Sequence, residues 1–89
     1  MLAVRDLDEA PERREKRFER VKTLRSDAMK TASSGDLETA ERSLRMAAAL
    51  RPGNAAIEDD LASVIERLGR KDEADRTRAL AEILRSWHA

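Results

Sequence analysis

The chain has no cysteine or tyrosine, and only one phenylalanine, one tryptophan and one histidine among its 89 residues. The lack of cysteine excludes disulfides, thiolate nucleophiles and cysteine-ligated metals. The single histidine, His88, has no second histidine with which to form a zinc site, and no cysteine to activate as a nucleophile. We therefore expect a protein that is not an enzyme, with no catalytic residues, no cofactor and no bound metal.

The sequence also lacks long apolar runs and an excess of either charge. No apolar run approaches the roughly 20 residues of a membrane span. The 18 basic residues balance the 18 acidic ones, so no global field attracts nucleic acid or an acidic membrane. The N-terminus has no apolar stretch of signal-peptide length, which predicts a cytoplasmic protein. The preference for arginine over lysine is typical of a G+C-rich bacterial source.

The residues that are abundant favour helices. Charged residues make up 40% of the chain, and the apolar ones are mainly alanine and leucine. Gly35, Pro52-Gly53 and Gly69 interrupt the pattern as helix terminators, while Asp36 and Asn54 are suitable N-caps. We predict an all-α fold with four helices, over about 9–34, 37–50, 55–68 and 71–87. The short loops make neighbouring helices antiparallel hairpins.

The helices form one predicted domain, residues 9–89, preceded by a flexible arm, residues 1–8, in which Asp8 is the expected N-cap of the first helix. Apolar residues at three- and four-residue steps predict one inward stripe on each helix. In the first helix the expected stripe is Phe18, Val21, Leu24, Ala28 and Ala32. In the fourth it is Ala74, Ala81 and Leu84.

The chain repeats itself. The interval along the chain from Gly35 to Gly69 is the same as the interval from Ala40 to Ala74. A fixed period of about 34 residues indicates a helix-turn-helix repeat. The two copies are predicted at about 21–54 and 55–88.

The first copy resembles the tetratricopeptide repeat family. Gly35-Asp36-Leu37-Glu38-Thr39-Ala40 is similar to the turn and small residue of that motif, and Leu44, Ala47, Leu50, Pro52 and Asn54 follow at its spacing. The second copy keeps Gly69, Ala74 and Ala81 but has Glu58, Arg78 and Ser86 where Leu24, Leu44 and Pro52 stood. These departures suggest that the second copy is a degenerate terminal repeat. An unrelated four-helix bundle is the alternative.

The resemblance implies stacked hairpins whose first helices form a concave, peptide-binding face. That face would present Lys22, Arg25, Met29 and Ser33 from the first copy, and Asp59, Ser63, Glu66 and Arg67 from the second. Some family members hold a peptide carboxylate with lysine, asparagine and arginine. Met29 occupies the place of the asparagine, so we do not expect this subtype.

The fourth helix carries a second apolar stripe, Leu80, Ile83 and Trp87. In a longer array a further repeat would cover it; here the expected cover is a second copy or another protein, unless the N-terminal arm and first helix fold back over it. Trp87 is either an interface anchor or part of the internal core.

These patterns predict a protein-protein interaction module, a small adaptor or assembly subunit that binds a protein or peptide on the concave face. It would self-associate or dock through its C-terminal helix. The alternative is nucleic-acid binding through the arginine-rich first helix. Interspersed glutamates weaken that alternative, as does the expected burial of Phe18.

Overall fold

The structure, a computed structural model, describes residues 10–88. The predicted arm over residues 1–8 and the Asp8 cap lie outside this range. Four helices follow one another: α1 (Pro11–Ser33), α2 (Leu37–Leu50), α3 (Ala55–Arg67) and α4 (Lys71–His88). The all-α prediction is confirmed for the described residues, and α2 has the predicted bounds. None of these helices is long and apolar enough to cross a membrane.

The two hairpin turns share one geometry, which the glycines permit. Gly35 has φ +94° and Gly69 has φ +88°, a left-handed conformation that ends a helix without a steric penalty at glycine. The amides of Gly35 and Asp36 donate to the carbonyls of Ala32 and Thr31. The amides after α3 repeat this pattern, with Gly69 donating to Glu66 and Arg70 to Ile65. Both turns are Schellman motifs, one repeat period apart along the chain.

The predicted N-caps are also present. The Thr39 amide donates to Oδ1 of Asp36 at 3.2 Å, and the Ile57 amide donates to Oδ1 of Asn54 at 3.0 Å. These bonds satisfy amides that have no partner inside the helix. At the start of α1 the cap is Ala10, which has no side-chain bond, and Pro11 stands in the first turn.

Helix α1 packs on α2 and α3 packs on α4, and the two hairpins meet through α2 and α3. Alanines at the contacts let the backbones approach closely. Six of them, in three pairs whose members are one repeat period apart, are fully buried; they are Ala28 and Ala62, Ala40 and Ala74, and Ala47 and Ala81. Leu44, Ile57 and Ile65 are the largest fully buried side chains. The period therefore extends to the core as well as the turns.

Polar contacts fix the register between the hairpins. The Arg25 guanidinium meets Asp60 across α1 and α3, with Nη2 2.7 Å from Oδ2. Across α2 and α4, Arg45 contacts Glu73 at 2.9 Å and Arg70 pairs with Glu41. The first two pairs join equivalent helices of the two hairpins, and the third joins α2 to the residue just before α4. The hairpins are therefore held by charge pairs at the rim as well as by apolar packing at the centre.

One prediction of the inward stripe is wrong: Phe18 is 41% exposed. Its helical position is correct for the stripe, but α2 ends at Leu50, which packs beside Val21 and Leu24. Phe18 lies one turn beyond that contact, so the bundle covers it only in part. The Arg51 guanidinium lies over the ring instead, 4.7 Å from its centroid. Residues 11–20 of α1 are all exposed, so this part of α1 extends past the end of α2.

Candidate protein-interaction faces

The predicted concave face is only partly available. Lys22 and Met29 of α1 are exposed, and Met29 has 54% of its surface accessible. Arg25 is half-buried, and both its Nε and its Nη2 donate to one oxygen of Asp60, at 3.0 and 2.7 Å. Its charge is therefore used to align α1 with α3.

Of the predicted residues of α3, one is exposed and two are held in ion pairs. Ser63 is exposed. Asp59 pairs with Arg85 and Glu66 pairs with Arg78, both across the edge where α3 meets α4. The structure therefore places these two carboxylates in ion pairs of the second hairpin. Arg78 stands where the first copy has the apolar Leu44, and its ion pair with Glu66 accounts for a charged residue at this position.

The second stripe of α4 is exposed. Leu80 is 44% accessible, Ile83 49% and Trp87 75%. Of the two alternatives for Trp87, membership of the core does not hold in the described residues. We call Leu80, Ile83 and Trp87 the outer seam. With Arg76 before them, they follow the four-three-four spacing of a helix that packs against another helix.

The contacts between the two hairpins indicate which side of α4 a further repeat would meet. The first hairpin meets the second partly through Glu41 and Arg45, which contact Arg70 and Glu73. A shift of one repeat period moves those two positions to Asp75 and Ala79, and Ala79 is next to the outer seam because it lies one turn before Ile83. The expectation that a further repeat would cover Trp87 stays a prediction, because the described contacts are only those between the first hairpin and the second.

The outer seam lies beyond the Arg45–Glu73 contact of α2 with α4. Glu73 contacts Arg45 of α2, and Leu80 and Trp87 lie two and four turns further along the same side of α4. Helix α2 ends at Leu50, about one turn past Arg45. The contact with α2 therefore reaches only the start of this side of α4, and its second half is exposed among the described residues.

The shifted pKa values lie away from the outer seam and have structural causes. Burial raises the pKa of Glu41, but hydrogen bonds from Arg70 and Arg45 outweigh it, so the net pKa is lowered. Burial raises the pKa of Glu58, and the charge of Arg45 offsets this only in part. Hydrogen bonds from Thr39 lower the pKa of the Asp36 cap. Residues 10–88 contain no group of three or more side chains that could hold a metal ion.

Sequence reasoning missed the roles of three polar residues. Asp60 pairs with Arg25, Arg67 donates to the Ala32 carbonyl at 3.3 Å, and Arg51 covers Phe18. In the first two contacts, the partner lies one residue after the repeat-equivalent position. Asp60 follows the equivalent of Arg25, and Arg67 follows the equivalent of Ala32. Oppositely charged or polar residues near repeat-equivalent positions would have been a signal for them. Nothing in the period indicates the Arg51 contact, which depends on where α2 ends.

Comparisons of the chain with protein-family models, with curated proteins and with solved structures gave no match. The assignment of function therefore depends on the geometry of these faces.

Proposed function

We propose that this protein is a non-catalytic protein-protein interaction module, a small adaptor or assembly subunit of the tetratricopeptide-like kind. The observation that carries the proposal is the outer seam, three large apolar side chains that are aligned on one helix and exposed among residues 10–88. The repeated turns and repeated buried alanines support the two-hairpin repeat. The exposed Lys22, Met29 and Ser63 are a second, more polar contact area on the α1–α3 side.

The seam is large enough to anchor a partner but not to bind one alone. A fully buried aromatic side chain contributes roughly 150–250 Å². Trp87 is 75% exposed. Covering it would stabilise a complex by about 3–5 kcal/mol gross at about 25 cal/mol per Å². Association costs about 4–15 kcal/mol in lost freedom, so a specific complex also needs Leu80, Ile83 and polar contacts around them.

The test compares outer-seam variants with a matched control. Met46 occupies the position equivalent to Leu80 in the first hairpin and is 48% exposed. We expect Leu80→Ser and Trp87→Ala to lose proteins that the native chain captures from its own cell extract, while Met46→Ser keeps them. Sedimentation of the purified chain shows whether the captured species is another copy. Identical captured sets for native chain and seam variants would contradict the proposal.

A second candidate is nucleic-acid binding through α1, and the exposure of Phe18 favours it. The expected burial of Phe18 weakened this alternative, but the ring is at the surface beside Arg51. Binding of this kind weakens steeply as salt increases, because phosphate contacts release counterions. Under the interaction-module proposal, no single-stranded RNA or DNA binds at low salt. Affinity that falls steeply between low and moderate salt would favour this second candidate.

A further inference from the structure

Arg76 continues the line of the outer seam toward the start of α4. Its side chain is exposed, and it makes no ion pair or hydrogen bond with the other residues of the range 10–88. The acidic residues nearest to it in the chain on that turn are engaged elsewhere, since Glu73 contacts Arg45 and Asp75 lies 3.8 Å from Arg78. A cation without a partner among the described residues is therefore aligned with three exposed apolar side chains.

The order of these four residues is self-complementary when two copies of α4 lie side by side in opposite directions. Arg76 is four residues before Leu80, and Trp87 is four residues after Ile83. A two-fold axis midway between Leu80 and Ile83 therefore places Leu80 of one copy against Ile83 of the other. The same axis places Arg76 of each copy against Trp87 of the other, so every contact occurs twice.

We propose that the outer seam binds a second copy of this chain, through antiparallel pairing of the two α4 helices. Leu80 and Ile83 form the apolar centre of the contact, with the spacing of a helix that packs on a helix. At each end, the guanidinium of Arg76 lies over the indole of Trp87 from the other copy, which is the most favourable ring for a cation. This inference rests on the proposed function and names the occupant of the outer seam.

The charge of Arg76 selects the antiparallel direction. In a parallel pair of α4 helices, Arg76 of one copy would lie against Arg76 of the other, and like charges in contact are unfavourable. In the antiparallel pair the two guanidinium groups are at opposite ends, and each has an aromatic partner. The position of the only cation in the line therefore favours one orientation of the second copy.

The residues beside the outer seam allow close approach without repulsion. Ala79 and Ser86 are exposed along its edge, and both are small and uncharged. Glu82 lies roughly 160° around the helix from the start of the outer seam. Arg85 faces α3, where it pairs with Asp59. No like charges of the described residues are brought together along this contact.

The area predicts a weak dimer. Trp87 is 75% exposed, and Leu80 and Ile83 are each a little under half exposed. Together they offer roughly 300–400 Å² in each copy, or about 600–800 Å² for the pair, against about 1,200–2,000 Å² in a stable complex. We therefore expect the chain to be monomeric at low micromolar concentration and to pair as its concentration approaches about 1 mM.

The first experiment follows self-association at the outer seam itself. Trp87 is the only tryptophan of the chain, so its emission reports on this surface. As the concentration of the full chain is raised from low micromolar to about 1 mM, Trp87 emission should shift to shorter wavelength. The mass measured by sedimentation equilibrium should rise toward that of a dimer over the same range. A chain that remains a monomer with water-exposed Trp87 at about 1 mM would exclude the second copy.

Substitutions test the centre and the ends of the contact separately. Ile83→Ser should weaken self-association at least about tenfold, and Arg76→Glu at least about fivefold. Arg76→Lys keeps the cation and should weaken it less than Arg76→Glu. The matched control is Arg42→Glu, which makes the same change of charge at the repeat-equivalent, exposed position of α2 and should leave self-association unchanged. Circular dichroism of each variant verifies that its helices are intact.

The direction of pairing can be measured with one label. The chain contains no cysteine, so Asp72→Cys provides a single, exposed site for a nitroxide. Asp72 lies about ten residues before the two-fold axis, so the two labels of an antiparallel pair are separated by roughly 30 Å along the helix direction. In a parallel pair they would lie within about 15 Å. Pulsed electron paramagnetic resonance at about 1 mM protein measures this distance.

Several results would overturn the inference. A short distance between the labels would contradict the antiparallel direction. Self-association that persists in Ile83→Ser would show that another surface is used. Equal effects of Arg76→Glu and Arg42→Glu would refute the contact between Arg76 and Trp87. A Trp87 that is shielded in the monomer would show that another part of the same chain covers the outer seam.

The failure of this inference and the failure of the proposed function are distinguishable. If the chain does not self-associate but cellular proteins are still captured through Leu80 and Trp87, the module stands and the occupant of the outer seam is a different protein. If capture is independent of both residues, the interaction module itself is refuted.

Discussion

Replacing Gly35 tests the turn on which the hairpin geometry depends. Gly35 has φ +94°, and a Cβ added there would meet no atom within 4 Å. The effect of Gly35→Ala is therefore conformational, with no steric clash. An L-residue in the left-handed region loses about 1–2 kcal/mol, and the stiffer unfolded chain returns about 0.4–1 kcal/mol. We expect a net destabilisation of about 1 kcal/mol.

Urea unfolding followed by helical circular dichroism measures this change directly. In thermal unfolding of a domain of this size, the melting temperature should fall by about 4–8 °C for each kcal/mol lost. The matched control is D-alanine at the same position, introduced by chemical ligation. A D-residue favours positive φ, so it keeps the gain from the unfolded state without the strain. It should raise stability by about 0.4–1 kcal/mol.

The sign of the two effects is the critical observation. Gly69 has φ +88° with equally open space around it, so the same pair of substitutions there should behave alike. If L-alanine left stability unchanged, or if D-alanine were the more destabilising of the two, neither glycine would hold the left-handed conformation. The explanation of both hairpin turns would then be refuted.

The other predictions concern the core and the rim charges. Leu44 is fully buried, so Leu44→Ala should destabilise by about 2–5 kcal/mol in urea unfolding, whereas Met46→Ala should change stability by less than about 0.5 kcal/mol; equal effects would contradict the placement of α2. Glu41 has a lowered pKa, so its ionised carboxylate stabilises the fold at neutral pH, and this stabilisation is lost as pH falls through the folded-state pKa. Glu41→Gln should therefore destabilise the protein at neutral pH but not in acid. Glu58 has a raised pKa, so its ionisation opposes folding at neutral pH; Glu58→Gln should stabilise there, and the gain should disappear in acid. Thermal unfolding of both variants from acid to neutral pH measures these changes. Parallel dependence of their stability on pH would refute the opposite pKa shifts of Glu41 and Glu58.

Much of the fold follows from local chemistry in the sequence. Helix ends were predictable because Gly35, Gly69, Asp36 and Asn54 each satisfy a backbone requirement that few other residues meet. The buried alanines were predictable from their step along each helix together with the repeat period. The helix ends in particular depend on information that lies within one turn of the residue concerned.

The faces were less predictable, because they depend on where a neighbouring helix stops. The period places Phe18 on the inward side of α1, yet α2 ends one turn too early to cover it. The exposure of Leu80 and Trp87 also depends on which neighbouring helices reach the second half of α4, and periodicity alone could not decide it. The Arg25–Asp60 pair likewise requires the angle between hairpins, which is a tertiary property.

The exposure of Trp87 in the free chain tests the central claim most directly. The full chain is diluted to low micromolar concentration, and its fluorescence is quenched with acrylamide. The account predicts emission characteristic of tryptophan in water, with quenching close to that of a short tryptophan peptide and no dependence on protein concentration. Shielded emission from a chain that sediments as a monomer would show that the outer seam is already covered, and would contradict the assignment of this face to a partner.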